Sequence, residues 1–412
     1  MNRRAATPFH VMAKPTGAVC NLDCRYCYYL TKDLLYPGDR FRMSAEVLDA
    51  WLRQLVEAHA GGPVTVAWQG GEPTLMGLDF FRDAVARVRR LAPPGTTIHH
   101  TLQTNGTLLD DAWCACLREH GFLVGLSLDG PRDLHDRYRV DKRGRGTHAS
   151  VAAAARRLAR HGVPFNVLCT VHAGNANHPL RVYRYFRDGL GARHVQFIPV
   201  VERVTAEQRA TIERGWGRGV RGRTLYTQAG SEVGPRTVDP ARWGRFLTTV
   251  FDEWYEHDLR QVHVQPFENA LESWLGMEPS LCVFRSTCGG ALALEHNGDA
   301  YSCDHYVEPD HRLGNIADTH LAELAGSPRQ RAFGAAKRDT LPRQCRTCPV
   351  RFACNGGCPR NRFAATADAE PGLNYLCAGY RAFFEHIDPA MRRMARALRH
   401  AGVVAAPGAP PG

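Results

Sequence analysis

The sequence predicts an α/β protein: a partial (β/α)6 barrel followed by a small cysteine-rich α+β domain. Three observations support this fold class. From residue 9 to about residue 200, six short β-rich runs alternate with helical patterns, as expected for a parallel sheet. No Gly-x-Gly-x-x-Gly follows the first run, which favours an incomplete barrel over a dinucleotide-binding fold. After residue 280 the pattern changes to short elements, many turns and eight cysteines.

The six predicted strands are short and rich in β-branched and apolar residues. In chain order they are FHVMAKP, PVTVAWQGG, TIHHTLQTNG, FLVGLSLDG, PFNVLCTVHA and HVQFIPVV. Apolar periodicity between them predicts helices near 43–60, 78–92, 110–120, 147–161 and 178–189. Ser44 is the expected N-cap of the first helix, because its hydroxyl can accept a hydrogen bond from a free backbone N–H.

Polar or glycine-rich segments follow the first four predicted strands. CNLDCRYC, at 20–27, comes after the first strand. Gly70–Pro73, Gln103–Gly106 and Ser127–Gly130 end the next three. In barrels of parallel strands the carboxyl ends meet at one mouth, which carries the chemistry. The sequence therefore predicts a functional site at this mouth.

The barrel is assigned to residues 1–200 and a connecting helical region to 201–280, with a helix near 240–257. This connecting region contains RGWGRGVRGR, at 214–223, which is either a substrate-facing loop or a linker, and the linker is favoured. The cysteine-rich domain spans 281–380 and includes a predicted hairpin around Asn297-Gly298, a type I′ turn pair. A C-terminal helix and a disordered tail after residue 400 are expected within 381–412.

The chain is basic, with 52 lysines and arginines against 41 acidic residues and a net charge of +11. Most arginines are interleaved with acids, which favours solvated helix faces over nucleic-acid binding. No apolar run approaches the ~18 residues of a membrane span, and the N-terminus has no apolar export segment. We therefore expect a cytoplasmic protein with no membrane partner, whose cysteines serve metal or redox chemistry rather than disulfides.

The 14 cysteines fall into three groups by spacing. Cys114, Cys116 and Cys169 lie in predicted helices or strands and are expected to be buried structural thiols. Three thiolates in CNLDCRYC could hold a cubane iron–sulfur cluster by three of its four irons. The remaining eight form two potential sets of four. Taken in isolation, the segment CRTCPVRFACNGGC fits a zinc ribbon or an iron–sulfur site equally well.

Together these motifs resemble the radical S-adenosylmethionine enzymes that carry a SPASM auxiliary-cluster domain. The resemblance rests on C-x3-C-x2-C from Cys20, on Gly70–Pro73, and on C-x9-G-x4-C and C-x2-C-x5-C-x3-C in the second half. Within this group the chain is most similar to the anaerobic sulfatase-maturating enzymes. The stretches behind that similarity are MAKPTGAVCNLDCRYCYYL, SLDGPRDLHDRYRVDKRGRGTH, QFIPVVER and Cys303-Asp304.

The resemblance implies three 4Fe–4S clusters and S-adenosylmethionine as cofactors. Cys20, Cys24 and Cys27 would hold the cluster whose open iron binds S-adenosylmethionine. One auxiliary cluster would use Cys282, Cys288, Cys303 and Cys358, and the other Cys345, Cys348, Cys354 and Cys377. The positions that match contacts to S-adenosylmethionine are Tyr26, Gly71, Ser127 and Arg139, although a solvated helix face remains an alternative for Arg139.

The implied reaction is the oxygen-independent oxidation of a sulfatase cysteine or serine to Cα-formylglycine. A 5′-deoxyadenosyl radical would take a Cβ hydrogen, Asp304 would act as the base, and an electron would leave through an auxiliary cluster. The implied partners are a sulfatase polypeptide and an electron donor such as flavodoxin or ferredoxin. A solvated turn residue or local cap is the alternative for Asp304.

Two other functions remain open from the sequence. A SPASM enzyme that oxidises or cross-links a ribosomally made peptide would share every cluster ligand. An arginine-rich zinc-ribbon protein that binds nucleic acid belongs to a different class, and iron content would distinguish it.

Overall fold

The computed structural model describes residue 5 and residues 8–402. The chain divides into two compact units. The first contains the chain up to Leu168 together with Val204–Gly234 and Gly289–Gly334. The second contains Cys169–Arg203, Pro235–Cys288 and the chain from Ala335 onward. The predicted tail begins at the end of the described part, and its residues 403–412 lie outside it.

The strands confirm the six predicted runs and add shorter ones. They are β1 (His10–Lys14), β2 (Val64–Trp68), β3 (Ile98–Thr104), β4 (Phe122–Ser127), β5 (Phe165–Val171), β6 (His194–Pro199), β7 (Arg203–Val204), β8 (Glu232–Val233), β9 (His263–Val264), β10 (Ala291–Glu295), β11 (Asp299–Tyr301), β12 (Arg312–Asn315), β13 (Ala364–Ala365) and β14 (Pro371–Leu373).

The helices likewise include all those predicted in the first half of the chain. They are α1 (Ala45–Ala58), α2 (Leu78–Leu91), α3 (Asp111–Glu119), α4 (Arg132–His135), α5 (His148–Arg160), α6 (Pro179–Arg184), α7 (Arg209–Ile212), α8 (Pro240–Glu253), α9 (Gln265–Trp274), α10 (Leu321–Ala325), α11 (Pro328–Asp339), α12 (Arg343–Arg346), α13 (Arg351–Cys354) and α14 (Cys377–His400). The Ser44 hydroxyl accepts a hydrogen bond from the Val47 N–H at 3.3 Å, as expected of an N-cap. None of these helices combines the length and apolarity needed to span a bilayer.

The sheet of the first unit runs in the order β12-β11-β10-β1-β2-β3-β4-β5. Strands β10 to β5 are parallel, and β11 and β12 continue antiparallel. β1 is not an edge strand, because it lies between β10 and β2. Its parallel pairing with β10 aligns Lys14 with Glu295. This register brings the carboxyl end of β10, and the segment after its hairpin, to the end of β1 that precedes CNLDCRYC.

The hairpin between β10 and β11 forms, but its predicted turn type is wrong. A type I′ turn requires positive φ at both Asn297 and Gly298, yet only Gly298 has it, at 90°. The Gly298 N–H bonds to the Glu295 carbonyl at 3.0 Å, and the Asn297 side chain accepts the Asp299 N–H at 3.1 Å. This side-chain bond lets Asn297 remain at negative φ, so the loop is one residue longer than predicted.

The second unit is built around the packing of α8 against α14. Glycines permit this close approach, since a Cβ added at Gly379 would lie 2.2 Å from the Pro240 carbonyl oxygen. Buried aromatic rings fill the adjacent core, with Phe251 and Phe267 meeting edge to face at 5.2 Å. In the same unit β6 pairs in parallel with β9.

Candidate active site

The loop that follows β1 carries Cys20, Cys24 and Cys27 and is fixed by backbone hydrogen bonds. The Cys27 N–H bonds to the Cys24 carbonyl at 2.9 Å. The Cys20 sulfur accepts the Leu22 N–H at 3.3 Å and the Asn105 side-chain amide at 3.7 Å. N–H groups aimed at a sulfur favour its thiolate form, which is the form that binds iron.

The chemistry of these three cysteines fits an iron–sulfur cluster. None is in a disulfide, and burial raises the pKa of Cys20 and raises that of Cys24 to about 12. Buried thiols of this kind become thiolates readily only beside a cation such as iron. In the described residues no three His, Cys, Asp or Glu side chains are placed to hold a single metal ion, whereas a cubane receives each cysteine at a separate iron.

The segment Gly70–Pro73 lies against the cysteine loop. The Gly71 N–H donates to the Gly17 carbonyl at 2.8 Å, and the Glu72 N–H donates to the Val19 carbonyl at 2.9 Å. A Cβ at Gly71 would lie only 2.1 Å from the Val19 carbonyl oxygen, so this position requires glycine. Gly71, a predicted contact of S-adenosylmethionine, thus brings its own backbone directly against the segment that leads into the cysteine loop.

The Glu72 carboxylate joins the ends of β2 and β3. It is fully buried and accepts hydrogen bonds from the Thr104 hydroxyl at 2.7 Å and the Asn105 N–H at 2.8 Å. It also accepts the Thr74 hydroxyl at 2.6 Å. Burial raises the pKa of the Glu72 carboxyl, and these hydrogen bonds oppose that rise. Glu72 therefore fixes the rim of the site.

Tyr26 and Arg139 both bind the buried carboxylate of Asp129. The Arg139 guanidinium forms a forked pair with Asp129 at 2.8 and 3.0 Å. The Tyr26 hydroxyl donates to the same carboxylate at 2.5 Å, and the guanidinium lies 5.5 Å from the centre of the Tyr26 ring. Because only 9% of the Arg139 side chain is exposed, the solvated-face alternative is wrong. Ser127, nearby on β4, accepts a hydrogen bond from Gln103 at 3.0 Å.

Asp304 is not a solvated turn residue, because it forms an ion pair with Lys14. Lys14 is 1% exposed, and its ammonium lies 4.1 Å from the centre of the Tyr29 ring. The Tyr29 hydroxyl donates a hydrogen bond to buried Glu295, and burial raises the pKa of Tyr29, which keeps it a donor. The Glu295 carboxylate is 3.3 Å from His296 Nδ1. A charged network therefore surrounds the predicted base.

The other predicted cluster ligands lie mainly in the second unit. Four cysteines line one cavity of about 180 Å³: Cys345, Cys348, Cys354 and Cys377. Burial raises the pKa of Cys354 to about 12 and that of Cys377 to about 11, so this donor set also fits iron.

Cys282, Cys288 and Cys358 also lie in the second unit, close to the buried side chain of Lys337. The Lys337 ammonium donates to the Cys282 carbonyl at 2.6 Å. Cys303, the fourth predicted member of that set, precedes Asp304 in the first unit. Cys114, Cys116 and Cys169 are buried and outside any disulfide, as predicted.

The favoured linker interpretation of residues 214–223 is wrong. Trp216 is fully buried in a cluster with Leu30, Ile212 and Tyr226, beside the partly buried Cys20 and Cys27. The Arg223 guanidinium pairs with both oxygens of Asp33, at 2.8 and 2.6 Å. An apolar anchor and an ion pair therefore hold this segment against the cysteine loop.

Sequence reasoning missed Asp129, Glu295 and Lys14. One signal pointed to Lys14: only four lysines occur in this arginine-dominated chain, and three of them are buried. Asp129 lies in the predicted segment Ser127–Gly130, but its partners are visible only in the fold.

Comparison with known proteins matches two families to the chain. The Radical SAM superfamily matches residues 15–185, and the iron–sulfur cluster-binding SPASM domain matches residues 282–349. The chain is therefore a radical S-adenosylmethionine enzyme with an iron–sulfur cluster-binding domain.

Its relatives define the group more narrowly. The chain is 42% identical to the serine-type anaerobic sulfatase-maturating enzyme of Bacteroides thetaiotaomicron, over 95% of this chain and 92% of that relative. It is 33% identical to the cysteine-type enzyme of Clostridium perfringens, over 95% of this chain and 100% of that relative. The chain belongs to the anaerobic sulfatase-maturating enzyme family, which confirms the resemblance.

Solved structures agree with this assignment. One described as native anSMEcpe with bound AdoMet and Cp18Cys peptide has a TM-score of 0.81 and 32% identity, covering 95% of this chain and 100% of that one. This likeness confirms the predicted fold class. Streptococcus suis SuiB bound to precursor peptide SuiA has a TM-score of 0.59 at 15% identity, over 90% of this chain and 76% of that one. The second likeness shows a shared fold alone.

Proposed function

We propose that this enzyme oxidises a cysteine or serine of a sulfatase polypeptide to Cα-formylglycine without oxygen. The observation that carries the proposal is similarity over nearly the whole chain to maturases of both types, including a peptide-bound structure. The chain is 42% identical to a serine-type relative and 33% identical to a cysteine-type relative, which supports serine as an accepted substrate. The alternative of ribosomal-peptide modification has support only from the shared fold.

We assign the cofactors to the predicted residues. Cys20, Cys24 and Cys27 would hold the catalytic 4Fe–4S cluster, with S-adenosylmethionine bordered by Tyr26, Gly71, Ser127 and Arg139. The two auxiliary clusters would use Cys282, Cys288, Cys303 and Cys358 in one case, and Cys345, Cys348, Cys354 and Cys377 in the other. When bound, the cluster and S-adenosylmethionine supply a 5′-deoxyadenosyl radical that removes the substrate Cβ hydrogen, a step that side chains alone do not perform.

Asp304 accepts the thiol or hydroxyl proton of the substrate in this proposal. A general base must lie within about 3 Å of that proton, directly or through one water. The buried Lys14 ammonium, paired with Asp304, stabilises the charged carboxylate that can accept a proton. A carboxylate has about four acceptor positions, so the ion pair with Lys14 does not by itself occupy all those of Asp304.

Tyr29 and Glu295 position Lys14 rather than touch the substrate. The Tyr29 ring lies against the ammonium, and the hydroxyl of the same residue bonds to Glu295. Because Glu295 pairs with Lys14 in the strand register of β10 and β1, the hairpin and the first barrel strand align the base together.

We also propose a cytoplasmic location and an electron donor such as flavodoxin or ferredoxin. The functional regions are proposed to keep the sequence-based boundaries: the barrel at 1–200, the connecting region at 201–280, the auxiliary-cluster domain at 281–380 and the C-terminal region at 381–412.

Anaerobic incubation with two peptides tests the function. One contains Cys-x-Pro-x-Arg and the other Ser-x-Pro-x-Arg, and mass spectrometry follows the product. Serine should lose two hydrogens. Cysteine should lose two hydrogens and then exchange its sulfur for the oxygen of water, which gives the same aldehyde and releases hydrogen sulfide. Cys24→Ala should abolish the product, whereas Cys114→Ala, which changes another buried cysteine of the same unit, should retain it. Cluster-loaded enzyme that cleaves S-adenosylmethionine but oxidises neither peptide would refute the proposal.

A further inference from the structure

The segment 214–223, here called the arginine cap, presents exposed positive charge above the cysteine loop. Arg214, Arg218 and Arg221 are exposed, while Trp216 holds the cap through the buried cluster described above. Asp33 is almost buried and pairs with Arg218 at 3.0 Å and with Arg223 at 2.6 Å. The cap is therefore an ordered basic surface.

Two glycines bring the cap into contact with the cysteine loop itself. Gly215 has φ of 95°, and a Cβ there would lie 3.2 Å from the Arg25 carbonyl oxygen. A Cβ at Gly217 would lie 2.8 Å from the Asp23 carboxylate. Arg25, between Cys24 and Cys27, is exposed. The cap thus adds its charge directly beside the residues that would hold the catalytic cluster.

A second basic element borders the same loop. The turn 141–145 is tied to it by a bridge between Leu22 and Asp141 and by the ion pair of Lys142 with Asp23 at 2.7 Å. Asp141 is itself paired with Arg145 at 2.7 Å, and Arg143 is exposed. Asp23, Asp33 and Asp141 are therefore each paired with a cation. Exposed arginines outnumber the further exposed acid beside the cap, Glu213, because they include Arg25, Arg143, Arg214 and Arg221.

A basic surface at this position fits a particular kind of partner. Radical chemistry on the cysteine loop requires one electron from outside the enzyme, and electron transfer requires the donor to approach the loop closely. Opposite charge speeds and orients such an encounter. The arginine of a sulfatase motif would be repelled here, whereas an acidic carrier would be attracted.

We propose that the arginine cap and the turn 141–145 form the docking surface for an acidic one-electron carrier protein. The reduced carrier would lose one electron and the iron–sulfur centre on the cysteine loop would gain it, with no bond made or broken. The inference deepens the proposed function, because it names the surface at which that enzyme receives its electron.

The test compares two charge-reversed proteins. The first carries Arg214→Glu and Arg221→Glu. The control carries Arg90→Glu and Arg156→Glu, which make the same net change at exposed positions of α2 and α5. Binding of oxidised flavodoxin is measured by calorimetry at low salt. Initial 5′-deoxyadenosine formation is measured with flavodoxin hydroquinone and, separately, with dithionite, which needs no docking surface.

The cap variant should bind flavodoxin at least about tenfold more weakly and lose a similar factor in the flavodoxin-driven rate. Its dithionite-driven rate should remain within about twofold of wild type, because no cluster ligand or buried anchor is changed. The control variant should match wild type in all three measurements. A charge-preserving variant, Arg214→Lys with Arg221→Lys, should retain binding.

Unchanged flavodoxin binding by the cap variant, or an equal loss in the control variant, would overturn the docking surface. If charge reversal also lowers the dithionite-driven rate, flavodoxin binding decides the case. Weaker flavodoxin binding by the glutamate variant, together with retained binding by the lysine variant, supports the docking surface. Failure of the wild-type enzyme to oxidise either peptide with dithionite would refute the proposed function and leave the binding result interpretable.

Discussion

Replacing Asp304 with asparagine tests the proposed base while preserving the shape of the side chain. Asparagine cannot pair with a cation or accept the substrate proton as a carboxylate does. Loss of a general base typically lowers a rate by about 10²- to 10⁴-fold, so formylglycine production should fall by that factor. Cleavage of S-adenosylmethionine should continue, because its predicted contacts lie around Tyr26 and Arg139.

The same substitution has a predictable effect on stability. Lys14 is 1% exposed, and removing the partner of a buried charge costs about 3–5 kcal/mol. The double variant Lys14→Met with Asp304→Asn removes both charges, so it should regain most of that stability. It should not regain product formation. This pair of variants separates loss of the base from loss of the fold.

The assay follows 5′-deoxyadenosine and formylglycine peptide in the same anaerobic reaction, and thermal unfolding of the same cluster-loaded samples. Cleavage without product in both variants, with the unfolding temperature restored only in the double variant, is the expected result. Product formation by Asp304→Asn within about threefold of wild type would refute the assignment of Asp304 as the base.

Three further predictions concern charges outside the base. Lys337→Met removes a buried cation beside Cys282. Loss of a unit positive charge next to an auxiliary cluster, at an effective dielectric constant of about 20, should lower the potential of that cluster by on the order of 100 mV. An unchanged potential in an EPR redox titration would contradict this prediction. Hydrogen bonds from Arg184 lower the pKa of Glu253 to about 2, so Glu253→Gln should lose on the order of 2 kcal/mol in denaturant unfolding at pH 7. Because that folded-state pKa lies below the unfolded value of about 4.3, the loss should be constant above about pH 5 and shrink as pH falls toward 2; a loss that grew on acidification would refute it. Glu72→Gln should lower the free energy of unfolding by about 2–4 kcal/mol, because the NH₂ group of glutamine cannot accept the hydrogen bonds that the carboxylate accepts. The exposed control Glu46→Gln should lower it by less than about 1 kcal/mol.

The barrel elements were predictable because their determinants are local. α1 begins after Ser44, whose hydroxyl bonds three residues ahead, and the strands are apolar runs bounded by turns. The hairpin turn at Gly298 was assigned the wrong type for an equally local reason. Its side-chain bond from the Asp299 N–H to Asn297 competes with the backbone conformation that the dipeptide favours.

The site was predictable only in part, because its charged partners are remote in sequence. CNLDCRYC carries its ligands within eight residues, but Lys14 meets Asp304 through the pairing of β10 with β1. The arginine cap depends on Asp33, 190 residues away from Arg223. Composition shows arginine and glycine in that stretch, whereas the burial of Trp216 that orders it is a property of the fold.

Spectroscopy of the cysteine loop tests the central claim most directly. Anaerobic, reduced enzyme would be mixed with S-adenosylmethionine labelled with ¹⁵N in its amino group and ¹⁷O in its carboxylate, and examined by electron–nuclear double resonance. Coupling of both labels to the cluster is expected in wild type and in Cys114→Ala, and should vanish in Cys24→Ala. A cluster whose four irons are all bound by protein side chains, and which couples to neither label, would contradict the account.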